Sequence, residues 1–378
     1  MSSSTGPDSP LWVTILAGGI GARFWPASTP TRPKPLLALG STRPLIRDTV
    51  DRAVSLVEAD HLKILAGAHL VSPFRSVLAE LGEDSFWIEP AARGTAPALV
   101  WAAHRIHAAA PNAVLVSLHA DHRIAPESDF LIVVRRAVRA AVSEDVLLSI
   151  AVEPTRPETG YGYIRPGEPL AEPEGSGAFR ISEFVEKPPK SAAEQYISRG
   201  YLWNTGIFVL PVARFLSEVR RHAPELGGCI PLLDEGDEVG FFEQVSSISV
   251  DKAVFERSDR VAAIRAGFQW DDVGSWEALA RTLPGDPGGN CGVGQVHCVE
   301  SSRSIVWAED GPVVVFGLED VVVVQSGGVT LVTPRDRARD LKQLLAALPK
   351  RLREGGPTAA EGTAWNPEDD RSDGEDDS

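Results

Sequence analysis

The sequence predicts an α/β protein: a Rossmann-like, mostly parallel sheet with helices on both faces, followed by a small β-rich unit. Three observations predict it. Up to about Leu283, short apolar runs alternate with helix-like stretches, the pattern of parallel strands joined by crossover helices. Directly after the first run comes a glycine-rich turn, Gly18, Gly19 and Gly21. Beyond Leu283 the alternation stops, and short strand-like pieces separated by turns take over.

Taken in order, the strand-like runs cover residues 12–16, 63–66, 113–118, 146–152, 184–185 with their flanks, and 206–209. Helix-like stretches cover 45–57, 96–109 and 130–142. Ligands of such sheets sit at the carboxyl ends of the strands, and the glycine turn lies at one of these ends. Residues 284–294, PGDPGGNCGVG, read as a turn-rich linker. Strand-like pieces follow at 293–299, 304–308, 313–316, 321–325 and 329–332, the pattern of a few coils of a β-helix. An amphipathic helix over 335–348 is expected to pack on that sheet. The domain division expected is a disordered leader at 1–10, a large α/β domain at 11–284, the β-rich domain with its helix at 285–349, and a disordered acidic tail at 350–378.

The 378 residues suffice for one large domain and a smaller one, and 43% hydrophobic content is ordinary for a soluble protein. No apolar run approaches the ~20 residues of a membrane helix, and the opening MSSSTGPDSP lacks the basic and apolar parts of a secretory signal. Three cysteines without a CxxC pair argue against a disulfide framework or structural zinc, so a cytoplasmic location is expected. Net charge is −15, and from Glu361 onward eight acids face one base, a tail expected to solubilise. An acidic chain without a basic stripe is expected to bind no nucleic acid.

The glycine turn carries the first chemistry. Glycines after a strand let the backbone close on a phosphate, and Arg23 and Lys34 supply the positive charge that a polyphosphate demands. A Walker A loop would end in Gly-Lys-Ser/Thr, but here the end is Gly21-Ala22-Arg23. A dinucleotide fingerprint would need a third glycine at position 24, which is Phe24.

Residues 16–34 resemble the opening motif of the sugar nucleotidyltransferases, most closely of the mannose-1-phosphate guanylyltransferases. That motif reads LAGG-x-G-x-R-[LF]-W-P-x-S-x(4)-P-K. Leu16, Ala17, Gly18, Gly19, Gly21, Arg23, Phe24, Trp25, Pro26, Ser28, Pro33 and Lys34 match it, while Pro35 stands where many members have Gln. The resemblance implies a glycosyltransferase-A-like fold with a left-handed β-helix-like domain behind it. It makes Arg23 and Lys34 catalytic, and Leu16, Ala17, Gly18, Gly19 and Gly21 nucleotide-binding. The isomerase domain fused to some relatives is not expected here.

Six further motifs follow in family order, so that the seven together span residues 15–276. Glu89 to Ala98 fits a helix start with amides facing a ligand, and resembles the family's nucleotide-holding segment. There the resemblance assigns Arg93, Thr95 and Ala96 to the nucleotide, with Gly94 where Asn is common. Leu118 to His122 places Asp121 at a strand end opposite the phosphate loop, where a magnesium ligand is wanted. The family shows P-A-D-H here, so His119 replaces the Pro. A His-x-x-His zinc site is set aside for lack of a third ligand, and His122 is read as a structural hydrogen-bonding residue. Residues 154–164 resemble the family loop over the sugar, which implies contact from the Gly160 backbone. Glu186 can accept from two sugar hydroxyls and Lys187 can neutralise the sugar phosphate, provided that the strand ends or bends at Pro188. Asn204, in the Trp-Asn-x-Gly-Ile-Phe string, offers a donor and an acceptor to a hydroxyl. In residues 270–276 the resemblance makes Asp272 the second magnesium carboxylate, with its neighbour Asp271 as the alternative.

These readings imply transfer of GMP from GTP to mannose 1-phosphate, giving GDP-mannose and pyrophosphate, with Mg2+ and in a homodimer. The alternatives are the same chemistry on another sugar 1-phosphate or NTP, and a non-catalytic regulatory subunit. The latter should have lost Arg23, Lys34 or the carboxylates, which are present.

Overall fold

The computed structural model describes residues 9–19, 21–171 and 177–354. The expected leader up to residue 8 and the tail from residue 355 lie outside the described residues. The chain forms two compact units, one from residues up to Gly18 with Leu45–Asp272, the other from Gly19–Pro44 with residues from Val273 onward.

In the first unit the strands are β1 (Leu11–Leu16), β2 (Leu62–Ala66), β3 (Phe86–Ile88), β4 (Val114–His119), β5 (Arg123–Ala125), β6 (Leu147–Val152), β7 (Gly162–Pro169), β8 (Ala178–Glu186), β9 (Leu202–Pro211), β10 (Val261–Ala266) and β11 (Gln269–Asp271). Nine of them build one sheet in the order β3-β2-β1-β4-β9-β6-β10-β8-β7. β1, β2, β3 and β4 run parallel, as do β6 and β10, whereas β9 is antiparallel to β4 and β6. β1, β2, β4 and β6 are buried almost throughout, as expected of strands covered on both faces. The helices Thr95–Ala109 and Val212–His222 share one apolar cluster with Trp101, Phe215, Phe241, Phe242 and Phe255. Burying each such aromatic contributes ~1.5–3 kcal/mol, which ties the helical layer to the sheet.

β9 carries a bulge that matters for the site. Ser149 pairs with Phe208 but Ala151 pairs with Asn204, so two steps along β6 match four along β9. Gly206 takes φ 71° within it, and a Cβ there would lie 2.9 Å from His119 Nε2. Such bulges re-aim side chains, and this one turns the chain just after Asn204. The small sheet of β5 and β11 pairs Asp271 with Arg123 in antiparallel register. That register brings Asp272 back toward the turn that carries Asp121 and His122.

In the second unit, β12 (Cys291–Val299), β13 (Ile305–Phe316) and β14 (Val321–Ser326) run parallel, and β15 (Val329–Pro334) returns antiparallel on β14. Three expectations are corrected here. The pieces at 304–308 and 313–316 are one strand, because β12 pairs with both and the five-residue step from Ala308 to Val313 bulges out. The linker at 284–294 is an ordered turn whose end already belongs to β12. Asn290 donates to Asp286 Oδ2 and to the Ser301 carbonyl at 2.9 Å each, and its Oδ1 accepts from Ser304 N at 3.0 Å. The single helix at 335–348 is a 3-10 stretch, Arg335–Asp340, and a short helix, Leu341–Ala347. Arg335 is drawn to Glu277 and to the Arg303 carbonyl, and Arg337 to Asp340, which favours the tighter winding of the first part. In the first unit, the helix expected over 45–57 ends earlier, at Val54.

Candidate active site

In the second unit the segment after the glycine turn forms one packed piece. Gly21 has φ 74°, a conformation that side chains strain to adopt, and a Cβ there would overlap the Lys34 Cβ. Glycine is therefore what lets the Lys34 stem rest against the turn. Ser28 Oγ donates to the Gly21 carbonyl at 2.7 Å and Phe24 N does so at 2.9 Å, which closes the turn. Arg23 Nη1 reaches the Gly274 carbonyl at 3.4 Å. Lys34 is 5% exposed, with its ammonium 6.0 Å from the Phe24 ring centre. Phe24 sits edge-on to Trp276 at 4.9 Å, and Trp276 lies 5.7 Å from Trp307 of β13. Arg32 pairs with Glu309 at 2.5 Å. Arg23 and Lys34 thus share one unit with the β-rich strands.

In the first unit Leu16 ends β1, with Ala17 and Gly18 directly after it. Ala17 N donates to Leu65 O at 2.9 Å, and Ala120 N donates to Leu16 O at 3.1 Å. Glu89 Oε1 lies 3.6 Å from where a Gly18 Cβ would stand, and burial pushes the Glu89 carboxyl up to about 7. The polar groups of the next segment are engaged with residues 242–250. Arg93 Nε donates to Phe242 O at 2.8 Å, Thr95 Oγ1 accepts from Val250 N at 3.0 Å, and Ala96 N donates to Ile248 O at 3.2 Å.

After β4, the ligand atoms of His119, Asp121 and His122 lie within 4.8 Å of one another. The three come together because the turn at Ala120 folds Asp121 beside both imidazoles. His122 Nδ1 accepts from Trp270 Nε1 at 3.2 Å, the structural role expected of it. With Nδ1 so used, the neutral ring carries its proton on Nε2. Asp272 Oδ1 accepts from the Tyr161 hydroxyl at 2.5 Å, and Asp271 Oδ2 lies 3.7 Å from Arg156 Nη2. Burial, then the Asp272 and Asp271 carboxylates, push the Tyr161 hydroxyl far above its ordinary range, so it donates. Asp121, beside His119 and His122, is a hard oxygen donor of the kind a divalent cation takes.

The third group of residues lies around β7, β8 and β9. Gly160 N donates to Glu158 Oε1 at 3.2 Å, and Tyr163 donates to the Glu158 carbonyl at 2.9 Å, which shapes the loop. Tyr161 packs edge-on to Trp203 and Trp270 at 5.1 and 4.9 Å. β8 ends at Glu186, and Lys187 takes φ 52°, so the bend required for both side chains to serve one ligand is present. Lys187 Nζ contacts Glu186 Oε1 directly. A Cβ on Gly162 would lie 2.7 Å from Glu186 Oε2 and 3.2 Å from Asn204 Cβ, so these two side chains flank that glycine.

Sequence reasoning missed Asp251, Arg156, and the part played by Tyr161. Asn204 Nδ2 donates to Asp251 Oδ1 at 2.7 Å. Burial, then the Glu186 carboxylate, push Asp251 up to about 6. Asp251 opens an apolar stretch, Asp251–Phe255, with no motif of its own; the acid placed after a run of small and β-branched residues is its one local signal.

The nucleotidyl transferase family model matches residues 13–286, and the MannoseP isomerase/GMP-like beta-helix domain model matches residues 294–348. The mannose-1-phosphate guanylyltransferase of Escherichia coli (strain K12) is 33% identical over 351 residues, covering 89% of this chain and 73% of that one. The alginate biosynthesis protein AlgA of Pseudomonas aeruginosa is 32% identical, covering 88% of this chain and 71% of its own. Among solved structures, the mannose-1-phosphate geranyltransferase of Thermus thermophilus superposes with a TM-score of 0.80 at 31% identity, over 89% of this chain and 99% of that one. The chain belongs to the nucleotidyl transferase family, among the mannose-1-phosphate guanylyltransferases.

Proposed function

We propose that the protein transfers GMP from GTP to α-D-mannose 1-phosphate. A phosphate oxygen of the sugar phosphate attacks the α-phosphorus in line, the bond to the bridging oxygen breaks, and pyrophosphate leaves as GDP-mannose forms. The nucleophile is already an anion near neutral pH, so the protein's work is positioning and charge neutralisation. In this reading Arg23 and Lys34 offset charge on the α-phosphate and the leaving pyrophosphate. Leu16, Ala17, Gly18, Gly19 and Gly21 line the nucleotide with backbone, while Arg93, Thr95 and Ala96 shape its pocket through the segment that they hold. Lys187 holds the incoming phosphate, and Gly160, Glu186 and Asn204 meet the sugar. Asp121 and Asp272 would hold Mg2+ or another divalent cation, which supplies further neutralisation of phosphate charge when bound. We also propose that residues 11–284 carry the catalytic motifs and residues 285–349 the β-rich strands, with a cytoplasmic location and a homodimer.

The packing of the Lys34 stem on Gly21 carries this reading, because it makes the phosphate-cradling turn and its cation one piece. Identity of 33% to a relative that bears the guanylyltransferase name supports the choice of substrates. The test is GDP-mannose formation from GTP and mannose 1-phosphate. Lys34→Ala and Asp121→Ala should each lose on the order of a hundredfold in turnover while circular dichroism stays unchanged. Near-normal turnover in either folded variant would refute the assignment.

A further inference from the structure

Asn204 is held at both ends by groups that admit only one orientation of its amide. Its Oδ1 accepts from Gly206 N at 3.2 Å and from Ser149 Oγ at 2.7 Å. Its Nδ2 donates to Asp251 Oδ1 at 2.7 Å. A backbone N–H can only donate and a carboxylate can only accept, so a flipped amide would face two repulsive contacts. The side chain is 7% exposed, which raises the cost of either mismatch. Three of its bonds are thus spent within the protein, and what it has left for a ligand is the second Nδ2 hydrogen. The sequence reading of Asn204 as both donor and acceptor is thereby narrowed to donor.

We propose that Asp251 is a positioning residue that locks Asn204 as an N–H donor, so that the sugar hydroxyl opposite it must accept. This rests on the reading of Glu186 and Asn204 as the sugar side of the site. The consequence is a fixed polarity. Glu186 accepts a hydrogen bond from one hydroxyl and Asn204 Nδ2 donates one to another, and the two side chains flank Gly162. The raised Asp251 carboxyl fits a group set beside Glu186 for the sake of the amide rather than for its own solvation.

The test is a double-mutant cycle read as KM for mannose 1-phosphate and for GTP. Asp251→Ala should raise KM for the sugar phosphate roughly tenfold, the worth of one oriented hydrogen bond, with KM for GTP unchanged. Asp251→Asn keeps an acceptor for Nδ2 and should restore most of the affinity. It also keeps the test available if the alanine variant does not fold. In an Asn204→Ala background, Asp251→Ala should add nothing further. Additive effects, or equal changes in both KM values, would overturn the inference. The wild-type control keeps the two claims apart. No turnover of mannose 1-phosphate overturns the proposed function, whereas turnover with an unchanged KM in Asp251→Ala overturns this inference alone.

Discussion

At the scale of single residues, the site is built by giving each charged group a partner that fixes its place. Lys34 rests on Gly21, Asp272 takes the Tyr161 hydroxyl, and Lys187 turns back on Glu186. Glu89 is the exception, since burial alone raises it, to about 7 from a usual 4.5. The sign of its effect on stability follows. A folded-state value above the unfolded one gives stability that is fully present below about pH 4.5 and is lost as pH rises through 7. Glu89→Gln should therefore raise the melting temperature at pH 8 and change it little at pH 4.5. The difference should correspond to on the order of 3 kcal/mol, read by thermal unfolding at the two pH values.

At the scale of elements, the devices are the bulge in β9, the β5–β11 register and the Asn290 turn. The last is the most exposed to a single change. Asn290→Ala would leave the buried Ser304 N–H and the Ser301 carbonyl without their partner. A loss of about 2–4 kcal/mol in unfolding free energy is expected, and denaturant titration would measure it. What was legible in the sequence divides along the same line. The glycine turn, the end of β8 before Pro188 and the Asn204 string announce themselves, because glycine and proline impose local geometry whatever lies around them. The division of 335–348 into two pieces was not legible, because it depends on Glu277 and on the Arg303 carbonyl, both distant in sequence. Asp251 was hidden for a related reason. It meets Asn204 across 47 positions, and nothing near it in the chain calls for a carboxylate. Asp121 was legible as a candidate metal ligand, but its closeness to both His119 and His122 depends on the fold of the turn.

At the scale of the whole molecule, the segment 19–44 belongs with the strands after Val273 and not with the sheet whose first strand precedes it. Phe24, Arg32 and Trp25 reach Trp276, Glu309 and the Leu352 carbonyl in that unit. A chain shortened to end at Pro284 would keep every motif and lose Trp307, Glu309 and Leu352. It should fall on the order of a hundredfold or more in turnover while retaining most of its helical signal, as expected when a positioning scaffold is lost. Near-normal turnover from the shortened chain would show that Arg23 and Lys34 need no support from the β-rich strands. No helix among the described residues is long and apolar enough to cross a membrane.

The central claim is the reaction and its two substrates. Pyrophosphate release, measured with Mg2+ and a grid of four NTPs against mannose 1-phosphate and glucose 1-phosphate, tests it most directly. The account predicts release from GTP with mannose 1-phosphate and from no other pair. Release from a different pair would contradict the substrate assignment, and silence in every well from folded protein would contradict the reaction itself.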